Sequence, residues 1–280
     1  MPTRIFSKEL LFSKELLNEE RYIQKNELAD AHCHLDLLDL QTIKKAVEFG
    51  VLTIIGDGVD TKSNMKTLEL ADNLNIFAAL GIDPEHSSID NKELEFNIGL
   101  IKENCDKIVA IGEIGLDYKI AVAEEARRQQ KKVFGSMLDT ANELNLPVSI
   151  HCRDIEIATG AFDDILAMLD EKNIKKAHFH FFDGQESQAK KIAERGYFIS
   201  VPPIRSSKRI RVIKSMPIEM IMAESDAPAA GKSITDTNAS VNFIAASKGI
   251  DYEIAREAVV RNTKSFFEIN RKIKHEFIRR

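Results

Sequence analysis

The stretch DAHCHLD, which covers residues 30–36, carries two histidines that are separated by a single residue. It follows Leu28 and Ala29, a short apolar run that can end a β-strand. On an extended strand, residues i and i+2 point to the same face, so His32 and His34 can aim both imidazoles at one point. Two ligands of one metal ion must do this, although a His-x-His pair also occurs on ordinary polar strand faces.

Apolar runs and helical patterns alternate through the rest of the chain. Runs typical of buried strands cover about residues 28–31, 51–55, 76–80, 108–111, 148–150, 177–179, 197–201 and 220–223. Helical patterns cover about residues 40–49, 62–74, 93–103, 123–144, 162–171, 185–195, 205–214, 239–248 and 252–267. Strands that alternate with helices predict parallel βαβ units, and eight such units favour a closed α/β fold, the (β/α)8 TIM-type barrel. An open dinucleotide-binding sheet is disfavoured, because no GxGxxG turn follows the first predicted strand.

Histidines and acids recur where the predicted strands end. They are His32, His34, Glu113, His151, His178, His180 and Asp226. In a barrel of this kind the carboxyl ends of the strands surround the active site, so these side chains are predicted to meet. Each also has an ordinary interpretation: Glu113 as a turn residue, His151 as a core histidine and Asp226 as a helix N-cap. Their joint occurrence at one end of one barrel favours a metal site.

Imidazole and carboxylate ligands together indicate Zn, Mn or a similar divalent ion, whereas carboxylates and water suit Mg. Four histidines and two carboxylates exceed what one ion needs, because catalytic sites keep a position open for water. A two-metal site fits better, with Glu113 as a bridging carboxylate. We expect the ions to activate a shared water, and Asp226 to hold one ion and act as general base on that water.

Composition bounds the remaining organisation. The chain has 280 residues and a net charge of −5, so a nucleic-acid substrate would require a local basic patch. Three cysteines without a CxxC pair, no long apolar run and no secretory apolar segment favour a cytoplasmic protein that does not span a membrane. The repeat FSKELL, which begins at Phe6 and again at Phe12, predicts a helical extension over residues 1–26, before one barrel domain over residues 27–280.

Several motifs together resemble the TatD family of metal-dependent hydrolases, within the amidohydrolase-like barrels. The matching pieces lie between about residues 29 and 270, and in chain order they read DAHCHLD, AIGEIGLDY, VSIHCRD, HFFDG, GYFISV and ESDAP. The order and spacing of several motifs make this resemblance far more specific than a single His-x-His pair.

The resemblance implies two groups of metal ligands that share Glu113. The first group is His32, His34, Glu113 and Asp226, and the second is Glu113, His151 and His180. His180 is preferred over His178 because His180 directly precedes the FFDG piece, and His178 is the reserve candidate. The resemblance also implies substrate contacts at Asp117, Tyr118 and Arg153. The planar guanidinium of Arg153 suits a phosphate group.

One departure from the family pattern concerns the loop after the third predicted strand. The family usually has Gly-x-His-Pro there, whereas this chain reads GIDPEH at residues 81–86. An acid, Asp83, thus replaces a histidine that is expected near the substrate phosphate. We expect Asp83 to alter substrate choice and His86 to compensate in part for the missing imidazole.

The resemblance implies a divalent-metal-dependent deoxyribonuclease that trims DNA from the 3′ end. A basic cluster follows the seventh predicted strand and comprises Arg205, Lys208, Arg209, Arg211 and Lys214. It indicates either a surface for a polyanion or a solvated helix face. The chain has no Trp and four Tyr, which argues against a dedicated single-strand binder. Two other functions stay open: hydrolysis of a small amide, lactone or phosphoester, and a non-catalytic barrel that binds a partner.

Overall fold

The computed structural model describes residues 26–72, 74–154 and 160–269. Eight strands occur in this part of the chain. They are β1 (Leu28–Cys33), β2 (Val51–Asp57), β3 (Ile76–Leu80), β4 (Ile108–Asp117), β5 (Val148–Arg153), β6 (Ala177–Phe179), β7 (Phe198–Val201) and β8 (Ile221–Ala223). The predicted helical repeat lies outside the described residues, and the domain boundary after residue 26 stays a prediction.

The strands form one sheet in which every pair of neighbours is parallel and follows chain order. Backbone hydrogen bonds join the end of β1 to the segment after β8. The Asp226 amide donates to the His32 carbonyl at 3.0 Å, and the His34 amide donates to the Ala227 carbonyl at 2.8 Å. These bonds close the sheet at the carboxyl ends of the strands. The predicted (β/α)8 barrel is therefore confirmed.

A helix follows each strand and packs outside the barrel. The helices are α1 (Leu40–Phe49), α2 (Thr61–Leu70), α3 (Asn91–Glu103), α4 (Glu124–Leu144), α5 (Ala161–Glu171), α6 (Glu186–Glu194), α7 (Ser207–Ser215) and α8 (Thr237–Lys248), with α9 (Tyr252–Phe266) after them. Within residues 26–72, 74–154 and 160–269, no helix combines the length and the apolar composition that a membrane crossing requires.

Helix α2 ends earlier than the sequence pattern predicts. The pattern extends the helix to Leu74, but Ala71 already has extended backbone angles, with φ −66° and ψ 129°. The Asp72 side chain accepts hydrogen bonds from the amides of Leu74, Asn75 and Ile76 at 2.9, 3.0 and 2.9 Å. An aspartate that bonds to nearby amides favours a turn over continued helix, and here it directs the chain into β3.

The core has two apolar parts. The larger part lies between the strands and the outer helices. The smaller part fills the lower interior of the barrel, which is the half nearer the amino ends of the strands. It comprises Ala31, Ile55, Phe77, Ala79, Val109, Ala110, Met222, Phe266, Phe267 and Ile269. Helix α9 reaches the amino ends of the strands, because Arg256 donates to the Glu27 carbonyl and Asn262 donates to the Ile221 carbonyl. The aromatic residues at the end of α9 thus close the barrel opposite the carboxyl ends of the strands.

Candidate metal centre

Glu113 lies at the centre of a group of polar side chains at the carboxyl end of the barrel. Its Oε1 lies 2.8 Å from Nδ1 of His151 and 2.9 Å from Nε2 of His180. Its Oε2 lies 3.5 Å from Nε2 of His32 and 3.8 Å from Nε2 of His34. The two carboxylate oxygens therefore face two different pairs of histidines.

Asp226 completes the side of the centre that contains His32 and His34. Its Oδ1 lies 3.4 Å from Nε2 of His34 and 3.8 Å from Nε2 of His32. The backbone of Asp226 is left-handed, with φ 48°, a conformation that aspartate adopts more readily than most residues. The six predicted ligands that the structure brings together form the site cluster, which consists of His32, His34, Glu113, His151, His180 and Asp226.

Irregular pairing in two strands accompanies the placement of His32 and Glu113. The register between β1 and β2 shifts within residues 30–33, and the register between β4 and β5 shifts within residues 111–114. Extra residues at such shifts break the regular alternation and aim side chains in new directions. Both shifts occur at the strand segments that carry the cluster residues.

Gly115 allows β4 to pass close to β5 beside His151. A Cβ atom at this glycine would lie 2.0 Å from the His151 carbonyl oxygen, and its φ of 151° lies in a region that favours glycine. Any larger residue would push the two strands apart. The glycine therefore maintains the distance between Glu113 on β4 and His151 on β5.

Five members of the site cluster, all except His151, have donor atoms close enough together to hold divalent metal ions. Two groups have ligand atoms within 4.8 Å of one another: His32 with His34 and Asp226, and His32 with Glu113 and His180. Nε2 of His32 and Oδ1 of Asp226 are buried and have no hydrogen-bond partner among the described residues. Buried polar atoms without partners are costly, and a bound cation would remove that cost. Imidazole with carboxylate is a ligand set that such ions prefer.

The charges of the cluster act strongly on one another. Burial lowers the pKa of His32, but Asp57 and Glu113 outweigh burial and raise the pKa well above its usual value. Burial and the nearby charge of His32 lower the pKa of His180. Burial raises the pKa of Glu113, but the surrounding histidines outweigh burial and lower the pKa well below its usual range. Glu113 is therefore an anion at neutral pH, as a metal ligand must be.

Asp117 and Arg153 lie behind His151. Oδ2 of Asp117 is 3.2 Å from Nε2 of His151 and 2.7 Å from Nε of Arg153. Burial lowers the pKa of His151, but Asp117 and Glu113 raise it to about 10. Asp117 is fully buried, so the structure does not bring this predicted substrate contact to the cavity. A carboxylate in this position orients the imidazole and increases its basicity.

Two acids that the sequence analysis did not select also face histidines of the site cluster. Oδ2 of Asp57 lies 3.2 Å from Nδ1 of His32, and Oε2 of Glu224 lies 3.9 Å from Nδ1 of His180. A signal for both was present in the sequence. Asp57 ends β2 and Glu224 directly follows β8, which are the positions used to select the other site residues.

A cavity of about 700 Å³ opens above the site cluster. Cluster residues on its wall are His34, Glu113, His151, His180 and Asp226. Arg153, a predicted phosphate contact, and Asp83 also line the wall. Apolar side chains cover another part of it, including Phe181 and Ile204. The cavity thus combines a charged floor with a partly apolar wall.

Asp83 and His86 form a pair at the edge of this cavity. Oδ1 of Asp83 accepts a hydrogen bond from the His86 amide at 2.8 Å and lies 2.7 Å from Nδ1 of His86. Asp83 is buried, whereas His86 is half-exposed and borders an adjacent cleft. The bond to Asp83 raises the pKa of His86 to about 9. The negative charge of Asp83 is therefore compensated at neutral pH.

Tyr118 does not line the cavity, although the resemblance implies a substrate contact there. Its ring is buried, and its hydroxyl donates a hydrogen bond to Oδ2 of Asp164 at 2.5 Å. Arg127 lies over the ring, with its guanidinium carbon 4.3 Å from the ring centre. These contacts direct the Tyr118 hydroxyl toward α5 and away from the site cluster.

Only part of the basic cluster after β7 reaches the cavity. Lys208 lines the wall and donates a hydrogen bond from Nζ to Oδ2 of Asp183 at 2.6 Å. Arg209 is buried, lies 3.4 Å from Oδ1 of Asp183 and stacks over the ring of Phe181. The other three residues of the basic cluster are exposed, and they are Arg205, Arg211 and Lys214.

His178, the reserve ligand, lies outside the site cluster. Its Nε2 is 2.6 Å from Oγ of Ser200, and its ring packs edge-on against Phe266 and Phe267. Burial, together with the charges of His180 and His32, lowers its pKa well below the usual value. His178 is therefore a neutral core histidine in the described structure.

A closed barrel with histidines and carboxylates gathered at the carboxyl ends of its strands is the architecture of metal-dependent hydrolases. The model of one family, described as TatD related DNase, matches residues 29–268. The chain belongs to this family. The predicted resemblance and the predicted class of enzyme, a metal-dependent hydrolase, are thereby confirmed.

Relatives match over most of their own length. Deoxyribonuclease TATDN3 of Homo sapiens is 30% identical over 264 residues, which cover 86% of this chain and 94% of the relative. An uncharacterized metal-dependent hydrolase of Methanocaldococcus jannaschii is 29% identical over 252 residues, or 85% of this chain and 96% of the relative. The crystal structure of the TatD homologue YjjV from Escherichia coli superposes with a TM-score of 0.76 at 24% identity, over 86% of this chain and 98% of YjjV. This last likeness shows the shared fold.

Proposed function

We propose that the protein is a divalent-metal-dependent deoxyribonuclease that hydrolyses phosphodiester bonds and releases nucleotides from the 3′ end of DNA. The observation that carries the proposal is the position of Glu113. Its two oxygens face different histidine pairs at the floor of a cavity. Membership of the TatD related DNase family and the relative named as a human deoxyribonuclease support DNA as the substrate.

Two ions, rather than one, are part of this proposal. His32, His34 and Asp226 would hold the first with Oε2 of Glu113, and His151 and His180 would hold the second with Oε1. Charge balance supports this number, because four acids are buried in and behind the centre: Asp57, Glu113, Asp117 and Asp226. Arg153 provides the one arginine or lysine ion pair to these acids within the described residues. Uncompensated buried carboxylates are unfavourable, and two divalent cations would neutralise them.

Divalent ions bound there would supply Lewis acidity for the phosphate oxygens and lower the pKa of a water. The Asp226 carboxylate is our candidate acceptor for the proton of the attacking water, because it lies beside both histidines that would hold the first ion. Asp226 also lines the cavity, so that a substrate can reach it. Glu113 and the histidines keep the reacting groups in place.

Arg153 is our candidate contact for the phosphate. Its side chain is 42% exposed, it lines the cavity, and Asp117 anchors its Nε, which restricts the orientation of the guanidinium plane. A guanidinium held in this way recognises phosphate oxygens through directed hydrogen bonds. Lys208 also lines the cavity, where its ammonium group pairs with Asp183.

A nuclease assay over several ions tests the proposal. Purified protein is incubated with end-labelled DNA and Mg²⁺, Mn²⁺ or Zn²⁺, and the products are resolved by length. We expect single nucleotides from the 3′ end, and a loss of activity in Asp226→Ala. The matched control is Asp139→Asn, which changes an exposed acid on α4 and should leave activity unchanged. DNA that stays intact with every ion, while small esters or lactones are cleaved, would overturn the proposal.

A further inference from the structure

Asp57 is a buried acid whose presence the barrel fold alone does not explain. It ends β2, its side chain is fully buried, and neither carboxylate oxygen has a hydrogen-bond partner among the described residues. Its nearest charged contact is the ring of His32, with 3.2 Å between Oδ2 and Nδ1. A buried carboxylate with so little compensation is expensive for a fold, so a specific interaction must balance it.

The ring of His32 is the group placed to provide that interaction, since its Nδ1 lies 3.2 Å from Oδ2 of Asp57 but is not aligned for a hydrogen bond in this structure. Nδ1 of His32 faces Asp57, whereas Nε2 faces Glu113 at 3.5 Å and Asp226 at 3.8 Å. A neutral imidazole has one N–H group and one lone pair. If Nδ1 donates its hydrogen to Asp57, the lone pair is on Nε2 and points into the site cluster. The opposite tautomer would place a hydrogen where a metal ion has to bind.

The surroundings leave room for this carboxylate. A Cβ atom at Gly112 would lie 3.0 Å from Oδ1 of Asp57 and 2.5 Å from Cβ of Ser149. The glycine that precedes Glu113 therefore makes space for the acid behind His32. The ring of His32 also stacks on His180, with 3.8 Å between ring centres and 14° between planes. The orientation of His32 thus affects a ligand of each proposed ion.

We propose that Asp57 is a positioning residue, which holds His32 in the tautomer and orientation that present Nε2 to the metal. The inference rests on the metal site of the proposed function. It concerns a residue that does not itself bind the ion. Carboxylates that hold a metal-binding histidine in this way typically change metal affinity about 10- to 100-fold when they are removed.

Calorimetric titration of the metal-stripped full-length protein with Zn²⁺ tests the role of Asp57. We expect about 10- to 100-fold weaker binding in Asp57→Ala and a smaller loss in Asp57→Asn, which keeps an oxygen acceptor but lacks the charge. The matched control is Asp60→Asn, three residues along in the same segment. Asp60 caps α2, and asparagine caps a helix equally well, so its affinity should equal that of the wild type.

Two results would overturn the positioning role while the proposed function stands. One is wild-type affinity in a folded Asp57→Ala variant, with folding checked by circular dichroism. The other is the loss of one whole equivalent of Zn²⁺, which would make Asp57 a ligand. A wild-type protein that binds no Zn²⁺ or Mn²⁺ at all would overturn both the inference and the metal site.

Nuclear magnetic resonance of the unmutated protein gives a readout that a merely structural role would not affect. With ¹⁵N-labelled histidine and bound Zn²⁺, we expect the His32 ring to carry its hydrogen on Nδ1 and the metal on Nε2. His32→Gln assigns the signal by its disappearance. In Asp57→Asn, exchange of the Nδ1 hydrogen with water should become faster. Metal bound through Nδ1 of His32 would overturn the proposal.

Discussion

His178 and His180 are two residues apart, yet they belong to different regions of the barrel interior. His178 lies in the lower region, where it contacts the Ser200 hydroxyl and the rings of Phe266 and Phe267. His180 lies in the upper region, 2.9 Å from Oε1 of Glu113. The residue type is the same, and His180 follows directly after β6, the strand that carries His178, so the two residues differ mainly in their surroundings. Depth along the strand therefore decides whether an inward histidine packs in the core or reaches the metal centre.

The two regions also differ in polarity, and therefore in the kind of side chain that is stable in each. The lower region is apolar and closed by the end of α9, so a neutral, hydrogen-bonded imidazole fits there. The upper region, at the carboxyl ends of the strands, contains several acids, and their negative charge favours the binding of cations. If this division is correct, changes in the lower region should affect stability, and changes in the upper region should affect metal binding and catalysis.

The largest expected effect is on stability, in the lower region. Phe267→Ala removes a ring that is 1% exposed, and we expect a loss of about 3–5 kcal/mol in the free energy of unfolding. Urea unfolding followed by circular dichroism measures this loss. Phe49→Ala is the matched control, because that ring on α1 is 54% exposed and should change stability by less than about 0.5 kcal/mol. The folded Phe267→Ala protein should bind the wild-type number of ions, and a lower number would show that the regions are coupled.

Replacement of each of the two histidines by asparagine, in separate variants, tests the comparison directly. We expect His180→Asn to lower nuclease activity by more than about 100-fold and to reduce the bound metal, because even outer-shell changes cost about 10- to 100-fold. His178→Asn should keep the wild-type metal content and lose about 1–3 kcal/mol of stability, since it disturbs the bond to Ser200. Metal analysis of the purified variants decides between the two positions. Reduced metal content in a folded His178→Asn protein would contradict the division.

The strand ends were predictable because a buried parallel strand is a short apolar run, and the first polar residue after it marks the rim of the barrel. His151 and Asp226 were found in this way. The end of β4 was not predicted correctly, because its apolar pattern stops at Ile111, whereas the strand continues to Asp117. Gly115 extends the strand beyond that point, because it allows close pairing with β5.

Contacts between segments that are distant in the sequence could not be predicted from the sequence pattern. A register shift has no signature in a single strand, since it depends on the neighbouring strand, so the irregular pairing beside Glu113 could not be predicted. The direction of Tyr118 depends on Asp164, which lies 46 residues away. Asp57 carried the right signal at the end of β2, but a lone acid at a strand end does not reveal that a histidine faces it.

The next expected effect is the pH dependence of metal binding, and it separates His151 from His180. The pKa of His151 is raised to about 10, so below that pH a metal ion must displace a proton from this ring. His180, whose pKa is lowered, is already neutral near pH 7 and releases none. We expect affinity for Mn²⁺ to rise about tenfold per pH unit for each displaced proton between pH 6 and 8. Titrations at three pH values measure the slope, and an affinity independent of pH would contradict this account.

The smallest expected effect concerns Asp83 and His86 at the edge of the upper region. The pKa of His86 is raised to about 9, so its positive charge is present below that pH and lost above it. His86→Ala leaves the Asp83 carboxylate uncompensated on the cavity wall, where it repels the phosphates of DNA. We expect KM to rise roughly fivefold, which corresponds to about 1 kcal/mol for a charge near solvent, with unchanged metal content.

A second substitution shows whether charge is the cause of this effect. In the His86→Ala background, Asp83→Asn removes the repulsive charge and should restore KM to nearly the wild-type value, which a thermodynamic cycle over the four proteins measures. If KM stays high in the double variant, His86 contacts the substrate directly rather than through Asp83. In that case the exposed imidazole itself would take the role of the family histidine that Asp83 replaces in this chain.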